Sequence, residues 1–276
     1  MPNITVVKRS GEHVAFEEGK VIHSMKRVGV PENLHQEALN HIKSHVQKDN
    51  SITTDEIFYH IREFLKDKDK KSAVKFNLRR AIFDLGPTGF PFEQFLQRIF
   101  ENEEYKARVG VILKGECVDH EIDVLIEKNG KKEMVEAKFH NQNGGKTDVQ
   151  VMLYMWARFL DVKQSNEIDN VWVATNTKLS QDAIAYAECK GIKALAWNYP
   201  QEGNLQDFVE KPGMYPVTIL PELTMEEKKR LVDNDIVLAC NFMDTKDEEL
   251  ETKYMIDKNR IREAKQSAGL ICNKNV

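Results

Sequence analysis

Long apolar runs are missing from this 276-residue chain. No stretch approaches the roughly 18 consecutive apolar residues that a membrane-spanning helix requires, which argues against a membrane partner. The residues that follow Met1 are polar and β-branched, so the apolar centre of a secretory signal is missing as well. Both features predict a cytoplasmic protein.

Cysteine is scarce, and the four cysteines lie far apart in the sequence. They form no CxxC pair, which argues against a zinc site built from thiolates. We expect all of them to be reduced, buried thiols, as is typical of a cytoplasmic protein. The four residues are Cys117, Cys189, Cys240 and Cys272.

A phosphate-binding loop of the GxxxxGK[ST] type is also missing, so we expect no ATP hydrolysis. Neither sign of charge dominates, since 40 Lys and Arg face 44 Asp and Glu, for a formal net charge of −4. This balance does not exclude a local basic groove, because phosphate contacts depend on where the cations lie.

Turn-forming residues divide the chain most clearly at Gly86-Pro87-Thr88-Gly89. Because 276 residues exceed what one small core accommodates, we expect two domains and an extension, at 1–87, 88–200 and 201–276. The first domain is predicted to be α+β, with a β-hairpin followed by helices. The last of these helices is expected to run without a break from Lys70 to Leu85.

The second domain has the hydrophobic pattern of an α+β or α/β fold, a mixed sheet flanked by helices. Apolar residues at helical spacing from Phe92 to Phe100 precede three strand-like runs, at 107–113, 118–126 and 133–139. Asn129-Gly130 is typical of a tight hairpin turn between the last two runs. A helix and a strand then complete the order α-β-β-β-α-β.

Alternation along the run 118–126 separates an apolar face from an acidic face. The buried face is expected to hold Val118, Ile122, Val124 and Ile126. The opposite face would carry Asp119, Glu121 and Asp123.

The next run, 133–139, shows the same alternation, and it predicts that Glu136 and Lys138 point away from the core together. If the hairpin is antiparallel, Asp123 and Glu136 approach each other across it. Two neighbouring carboxylates suit a hard cation such as Mg²⁺ or Mn²⁺, which can lower the pKa of a bound water beside a phosphate. Lys138 could orient that water or stabilise charge on the phosphate. The pattern predicts phosphodiester hydrolysis.

The stretches Gly89-Phe90-Pro91-Phe92-Glu93, His120-Glu121-Ile122-Asp123 and Glu136-Ala137-Lys138 together resemble the PD-(D/E)XK nuclease superfamily, in its Mrr-like and Holliday-resolvase-like branches. The resemblance covers residues 88–198. It implies that Asp123 and Glu136 bind the metal, that Lys138 is catalytic, and that Glu93 completes the acidic cluster. No proline precedes Asp123, which departs from the nominal motif.

Gln150 and Tyr154 are four residues apart, so they share one face of the predicted helix after the motif. The pair resembles a Gln-x-x-x-Tyr element of some nucleases of the superfamily, which implies a catalytic role for Gln150. An ordinary pair on a helix surface is the alternative. His120 and His140 are expected to be structural histidines rather than metal ligands.

The segment Val6-Val7-Lys8-Arg9-Ser10-Gly11, with Phe16 and Lys20 after it, resembles the ATP-cone, a nucleotide-sensing domain, over residues 3–86. The resemblance implies that ATP or dATP binds there, with Lys8, Arg9 and Lys20 contacting the phosphates and Gly11 shaping the turn. Ser10 stands where that family has Asp. Without the resemblance, an ordinary hairpin turn would be the simpler interpretation.

These patterns favour a cytoplasmic, Mg²⁺-dependent DNA endonuclease that responds to ATP or dATP and serves in restriction or DNA repair. A homodimer or a higher homo-oligomer is expected, because cutting both strands of a duplex usually needs two sites. One alternative is a non-catalytic, nucleotide-sensing DNA-binding regulator. A third interpretation is a nucleotide-binding assembly module with no function on DNA.

Overall fold

The computed structural model describes residues 4–8, 11–46, 50–142 and 144–272. Its N-terminal part consists of a small sheet and a group of helices. These elements are β1 (Thr5–Val7), β2 (His13–Ala15), α1 (Glu18–Arg27), α2 (Glu32–Ser44), β3 (Ser51–Thr53), α3 (Thr54–Lys68), α4 (Lys70–Lys75) and α5 (Leu78–Phe83).

The predicted N-terminal hairpin is confirmed, with β1 antiparallel to β2 and parallel to β3. Gly11 closes the hairpin turn with φ of 82°, a backbone conformation that favours glycine. A reciprocal cap starts α3, because the Thr53 side chain accepts from the Glu56 N–H and Glu56 accepts from the Thr53 N–H. The apolar faces of α1, α2 and α3 pack into one core that includes Met25 and Leu39.

The single helix expected from Lys70 to Leu85 is wrong, because α4 and α5 are separate. The Asn77 N–H bonds to the Val74 carbonyl three residues back, and this tighter turn ends α4. The apolar residues around the break divide between two cores. Within α4, Ala73 packs in the N-terminal core and Val74 in the core of the larger sheet, which Leu78 of α5 also joins.

The larger sheet and its helices follow the predicted order α-β-β-β-α-β. Along the sheet the strand order is β10-β8-β6-β5-β4, with antiparallel pairing of β4, β5 and β6 and parallel pairing of β6, β8 and β10. The elements are α6 (Phe90–Asn102), β4 (Lys106–Lys114), β5 (Asp119–Lys128), β6 (Lys131–Lys138), β7 (Lys146–Thr147), α7 (Val149–Asn166), β8 (Ile168–Thr175), β9 (Lys178–Leu179), α8 (Gln181–Lys190) and β10 (Lys193–Leu195).

Helices cover both faces of this sheet. On one face α6 buries Phe92 and Phe95 against β5 and β6, as the helical spacing predicted. On the other face α7 and α8 form a second apolar layer that includes Met152 and Ala183. The hairpin turn at Asn129-Gly130 is also confirmed, with φ of 54° and 76° at the two residues. The fold class is therefore the mixed sheet flanked by helices that the sequence predicts.

The C-terminal segment packs against the same core as α6. Tyr215 and Phe242 are fully buried there, and the Thr218 hydroxyl donates to the Ala81 carbonyl of α5 at 2.6 Å. The division into domains at residues 87 and 200 stays a prediction. The segment contains α9 (Leu205–Glu210), a short 3-10 helix (Val217–Ile219), α10 (Met225–Val232), α11 (Ala239–Asp244), α12 (Asp247–Thr252) and α13 (Lys258–Ile271).

The expectation of reduced, buried cysteines is wrong. Cys240 and Cys272 form a disulfide that joins α11 to the end of α13, with Cα atoms 5.7 Å apart. Cys117 and Cys189 are free but exposed. A pair separated by 32 residues and brought together by helix packing has no local sequence pattern, so spacing alone could not reveal it.

In the part of the chain that the structure describes, every helix is too short or too polar to cross a membrane.

Candidate active site

Strands β5 and β6 separate at the point where the acidic residues lie. Their ladder starts at the turn and ends at the pair Val124 and Val135. Beyond it, the same register places Asp123 opposite Glu136, and the Asp123 carboxylate accepts the Ala137 N–H at 2.7 Å. The carboxylate therefore replaces the next backbone bond of the ladder, and its second oxygen is available to a cation.

The predicted apolar face of β5 is wrong in part, because strict alternation fails where the strands separate. Val124 packs with α6, whereas Ile122 packs in the layer with α7. Val118, which was expected to be buried, is 60% exposed. The backbone of β5 loses its β6 partner at Asp123, so the period-two pattern does not hold across that residue.

Glu136 is held by an arginine that the sequence analysis missed. Arg158 of α7 donates to the Glu136 carboxylate at 2.7 Å, and the two side chains are only 9% and 13% exposed. Arg158 also donates to the Glu121 carbonyl and lies over the Tyr154 ring, 5.4 Å from its centroid. A sequence feature could have revealed it, since Arg158 is a charged residue within the buried stripe of α7, three residues after Met155 and directly before Phe159.

The electrostatics show a surplus of negative charge around the split strands. Burial raises the pKa of Glu93 to about 7, and the negative charges of Asp123, Glu121 and Glu136 add to this shift. Burial also raises the pKa of Asp123, against the stabilising bond from the Ala137 N–H. Four carboxylates thus lie close enough to affect one another, and they include Glu93 at the start of α6.

The pKa of Glu136 is raised as well, by burial first and then by Asp123, while Arg158 opposes the shift. Lys138, at the exposed end of β6, acts on Asp123 and Glu136 in the same favourable direction as Arg158. Burial lowers the pKa of His140, and the positive charge of Lys138 lowers it further. Lys138 therefore lies close enough to the carboxylates to interact with them electrostatically.

The donor set of this cluster fits a hard divalent cation. Asp123 and Glu136 offer carboxylate oxygens from opposite strands, and each already uses one oxygen in a bond to the protein. Such bonds orient a carboxylate before a metal binds. Mg²⁺ and Mn²⁺ prefer oxygen ligands, and a bound cation would offset both the burial of these carboxylates and the repulsion between them, which together raise their pKa values.

The remaining residues singled out in the sequence are Gln150, His120 and His140. Gln150 is exposed in the first turn of α7, eight residues before the buried Arg158. His120 pairs with Asp161 at 2.7 Å, and His140 bonds to Thr147 at 3.0 Å. Both histidines have side-chain partners, in line with their expected structural role.

Comparisons with known proteins identify the family. A curated protein of Archaeoglobus fulgidus, described as an uncharacterized protein, is 36% identical over 177 residues, which are 63% of this chain and 100% of that protein. A crystal structure described as AF1548, a protein of unknown function, matches with a TM-score of 0.58 and 32% identity, over 66% of this chain and 97% of that chain. A family model described as AF1548-like, C-terminal, matches residues 215–272. The chain belongs to the AF1548-like family.

A second family model, described as restriction endonuclease, matches residues 87–198. That range contains Glu93, Asp123, Glu136 and Lys138. The match confirms the expected restriction-endonuclease-like domain in this AF1548-like chain and indicates the nuclease class. Both matched models lie after Gly86, so the ATP-cone resemblance of residues 3–86 stays a prediction.

The predicted nucleotide contacts of the AF1548-like chain lie in and after the N-terminal hairpin. Lys8 pairs with Glu12 across the turn at 2.9 Å, and Gly11 has the positive φ that the turn requires. Lys20, in α1, is exposed and pairs with Glu17 at 2.7 Å. Arg9 lies outside the described residues.

A wide groove lies between the N-terminal helices and the loop that follows Lys138. We call it the interdomain groove, and its volume is about 1280 Å³. Phe58 and Tyr59 on α3 are about half exposed on one wall, and His140 and Asn141 lie on the other. The basic side chains that line it are Lys8, Arg62, Arg79, Arg80 and Lys178.

Proposed function

We propose that this AF1548-like chain is a Mg²⁺-dependent DNA endonuclease that hydrolyses phosphodiester bonds. The observation that carries the proposal is the position of Asp123 opposite Glu136 where β5 and β6 separate, with Lys138 one residue beyond Ala137. The restriction endonuclease match over residues 87–198 supports the same activity. The fold alone would not, because one fold hosts many activities.

Asp123 and Glu136 are the proposed ligands of Mg²⁺ or Mn²⁺. When bound, such a metal supplies Lewis-acid stabilisation of the phosphate and a more acidic water. Arg158 is a positioning residue, because its bond to one Glu136 oxygen fixes the carboxylate and leaves the other oxygen to the cation. Lys138 is the proposed catalytic cation that stabilises charge developing on the phosphate.

Glu93 and Gln150 have supporting parts in the proposal. With a pKa of about 7, Glu93 changes its charge in the physiological range, so it can take up a proton beside Asp123. Gln150, exposed on the same helix as Arg158, is proposed to contact the substrate next to the reacting phosphate. The stabilisation of charge on the phosphate is assigned to Lys138 and to neither of these residues.

The interdomain groove supports DNA as the substrate. Basic side chains along its walls favour a phosphate backbone, and the exposed rings of Phe58 and Tyr59 offer stacking surfaces to bases. The groove also reaches His140, two residues after Lys138. A strand that leaves the candidate active site along this loop would therefore enter the groove.

Regulation by ATP or dATP at the N-terminal hairpin is the second component of the proposal, and it rests on the ATP-cone resemblance. Lys8, Arg9 and Lys20 are the proposed phosphate contacts, and Gly11 shapes the turn. Lys8 also lines the interdomain groove. A bound nucleotide that contacts Lys8 would take this lysine away from DNA in the groove. Because nucleotide and DNA would both contact Lys8, the binding of one would change the affinity for the other.

Two further parts of the proposal concern assembly and location. We propose a homodimer, because each chain carries one candidate site and a duplex has two strands to cut. We place the enzyme in the cytoplasm on the basis of its DNA substrate, since the Cys240–Cys272 disulfide removes the argument from reduced thiols. Light scattering of the purified chain measures its oligomeric state directly.

The activity is tested by cleavage of plasmid and branched DNA with Mg²⁺, with and without ATP or dATP. Asp123→Ala and Lys138→Ala should abolish cleavage. The matched controls are Asp119→Ala, an exposed acid on the same strand as Asp123, and Lys131→Ala, at the far end of β6 from Lys138. Both controls should cleave like the wild type. Wild-type protein that binds these DNAs but leaves them intact would instead favour the non-catalytic regulator.

A further inference from the structure

Four metal-binding side chains meet in the N-terminal part, in a cluster separate from the candidate active site. His41 lies on α2 and His45 directly follows it, while His60 and Glu63 lie one turn apart on α3. One ligand atom from each side chain lies within 4.8 Å of the others. We call these four residues the histidine cluster.

Two separations in the histidine cluster match those of a metal site. The Glu63 carboxylate oxygen lies 3.5 Å from His41 Nε2 and 3.4 Å from His60 Nδ1. Bonds of roughly 2.0–2.1 Å in a tetrahedral Zn²⁺ site place ligand atoms about 3.4 Å apart. Glu63 therefore already stands at the ligand–ligand distance from two of the histidines.

Two ring nitrogens of the histidine cluster lack a hydrogen-bond partner within the described part of the chain. Among the described residues, His41 Nε2 and His60 Nδ1 are buried atoms for which no hydrogen-bond partner is present. Buried polar atoms in native proteins nearly always have a partner, so an unpaired nitrogen needs an explanation. Both unpaired nitrogens face the same carboxylate oxygen. A cation bound between the three atoms would explain why neither nitrogen has a hydrogen-bond partner.

His45 has the tautomer of a ligand. Its Nδ1 lies 2.8 Å from the His41 carbonyl oxygen, which can only accept, so Nδ1 donates the proton. A neutral ring then has its lone pair on Nε2, and a backbone carbonyl that fixes the other nitrogen is the usual support of a metal-bound histidine.

The rings of the histidine cluster are packed closely together. His45 stacks on His60 with centroids 4.1 Å apart, and its centroid is 4.5 Å from that of His41. The three rings and the Glu63 carboxylate therefore meet at one place.

We propose that His41, His45, His60 and Glu63 bind one Zn²⁺ ion that fastens α2 to α3. Three imidazole nitrogens and one carboxylate suit Zn²⁺ rather than Mg²⁺, which prefers oxygen ligands. Four protein ligands close the coordination sphere, which is typical of structural rather than catalytic zinc. The site is independent of the nuclease proposal, because it shares no residue with it.

The test uses the full-length chain, freed of metal with a chelator and then titrated with Co²⁺ and Zn²⁺. We expect one Co²⁺ per chain with the visible absorption of a four-coordinate ion, displaced by Zn²⁺ but not by excess Mg²⁺. Zn²⁺ should also raise the melting temperature. His60→Ala and His45→Ala should weaken Zn²⁺ binding by roughly 100-fold or more.

Two controls separate this site from other metal binding. His23→Ala removes an exposed histidine of α1 and should bind Zn²⁺ like the wild type. Glu136→Ala alters the candidate active site and should also keep the zinc. Because His45 is exposed at the end of α2, its removal leaves the core intact, which circular dichroism checks. Unchanged Zn²⁺ affinity in both His45→Ala and His60→Ala would overturn the proposal, as would its loss in Glu136→Ala.

Discussion

Arg158 and Glu136 form a 2.7 Å ion pair from α7 to β6, and both side chains are almost completely buried. The pair joins the acidic cluster, through Glu136, to the buried stripe of α7, through Arg158. It connects the stability of the metal-free protein to the arrangement of the proposed metal ligands.

Removal of one partner of the Arg158–Glu136 pair should destabilise the folded protein. Arg158→Ala leaves the buried Glu136 charge without its cation, so we expect the free energy of unfolding to fall by about 3 kcal/mol without metal. Mg²⁺ should restore part of this loss, because it replaces the missing positive charge. Urea unfolding with and without Mg²⁺ measures both effects. Arg98→Ala, which breaks ion pairs nearer the surface with Glu101 and Asp235, is the control and should change stability by only about 1 kcal/mol.

The raised pKa of Glu93 predicts how stability depends on pH in the metal-free protein. Its folded-state pKa of about 7 lies above the ordinary value of 4.5, so the folded protein holds an extra proton between these values. This stabilisation is complete below pH 4.5 and is lost as the pH rises through 7. Glu93→Gln should therefore be more stable than the wild type above pH 7, by about 1 kcal/mol because the carboxyl is half exposed.

Unfolding curves at pH 5 and pH 8 decide this prediction. The stability difference between Glu93→Gln and the wild type should grow from the lower to the higher pH. Glu101→Gln, a substitution on the same helix away from the cluster, should show no such growth. A difference that is the same at both pH values would show that the charge of Glu93 does not change in this range.

Mg²⁺ binding should be coupled to the proton that Glu93 holds in the folded protein. Because Mg²⁺ favours ionised carboxylates, its affinity for the wild type should rise with pH through about 7, with proton release. Calorimetry in two buffers of different ionisation enthalpy measures the protons released per Mg²⁺ bound. Glu93→Gln should release fewer protons. Equal release in both proteins would assign the proton to another group.

The disulfide should stabilise the C-terminal part. Closing a loop of 32 residues predicts that Cys272→Ser lowers the free energy of unfolding by about 3–4 kcal/mol. Cys189→Ser, at an exposed free cysteine, should have little effect. Thermal unfolding of both variants, under oxidising and reducing conditions, compares them. Equal melting temperatures for Cys272→Ser and the oxidised wild type would contradict the prediction.

The proposed nucleotide site makes a separate prediction. Lys8→Ala and Lys20→Ala should each weaken ATP or dATP binding by about tenfold, which corresponds to the loss of one charge-assisted contact of about 1.4 kcal/mol. Lys26→Ala removes an exposed lysine near the other end of the helix that carries Lys20, and should bind normally. Calorimetric titration of the full chain gives these affinities. The ATP-cone interpretation fails if all three variants bind nucleotide like the wild type.

Much of the sheet domain could be predicted from the sequence, because local patterns determine it. The spacing of Phe92 and Phe95 predicted α6, and Asn129-Gly130 predicted the hairpin that brings Asp123 opposite Glu136. Each of these features depends on residues that are neighbours in the chain. Hydrophobic period and turn chemistry are sufficient for them.

The features that the sequence did not predict depend on contacts between segments that are far apart in the chain. Arg158 meets Glu136 only after α7 packs on the sheet, and Cys240 meets Cys272 only after two helices pack. The histidine cluster joins two helices in the same way. The break at Asn77 has no signal in the apolar spacing, which is continuous through it.

The most direct test of the central claim is a single-turnover cleavage measurement on one DNA substrate, with binding to the same DNA measured in parallel. Asp123→Ala should lower the Mg²⁺-dependent rate by about a thousandfold or more, a barrier increase of about 4 kcal/mol, while DNA affinity stays within a fewfold of the wild type. Asp119→Ala should retain the wild-type rate. A wild-type rate in Asp123→Ala, or cleavage that proceeds without a divalent cation, would contradict the account.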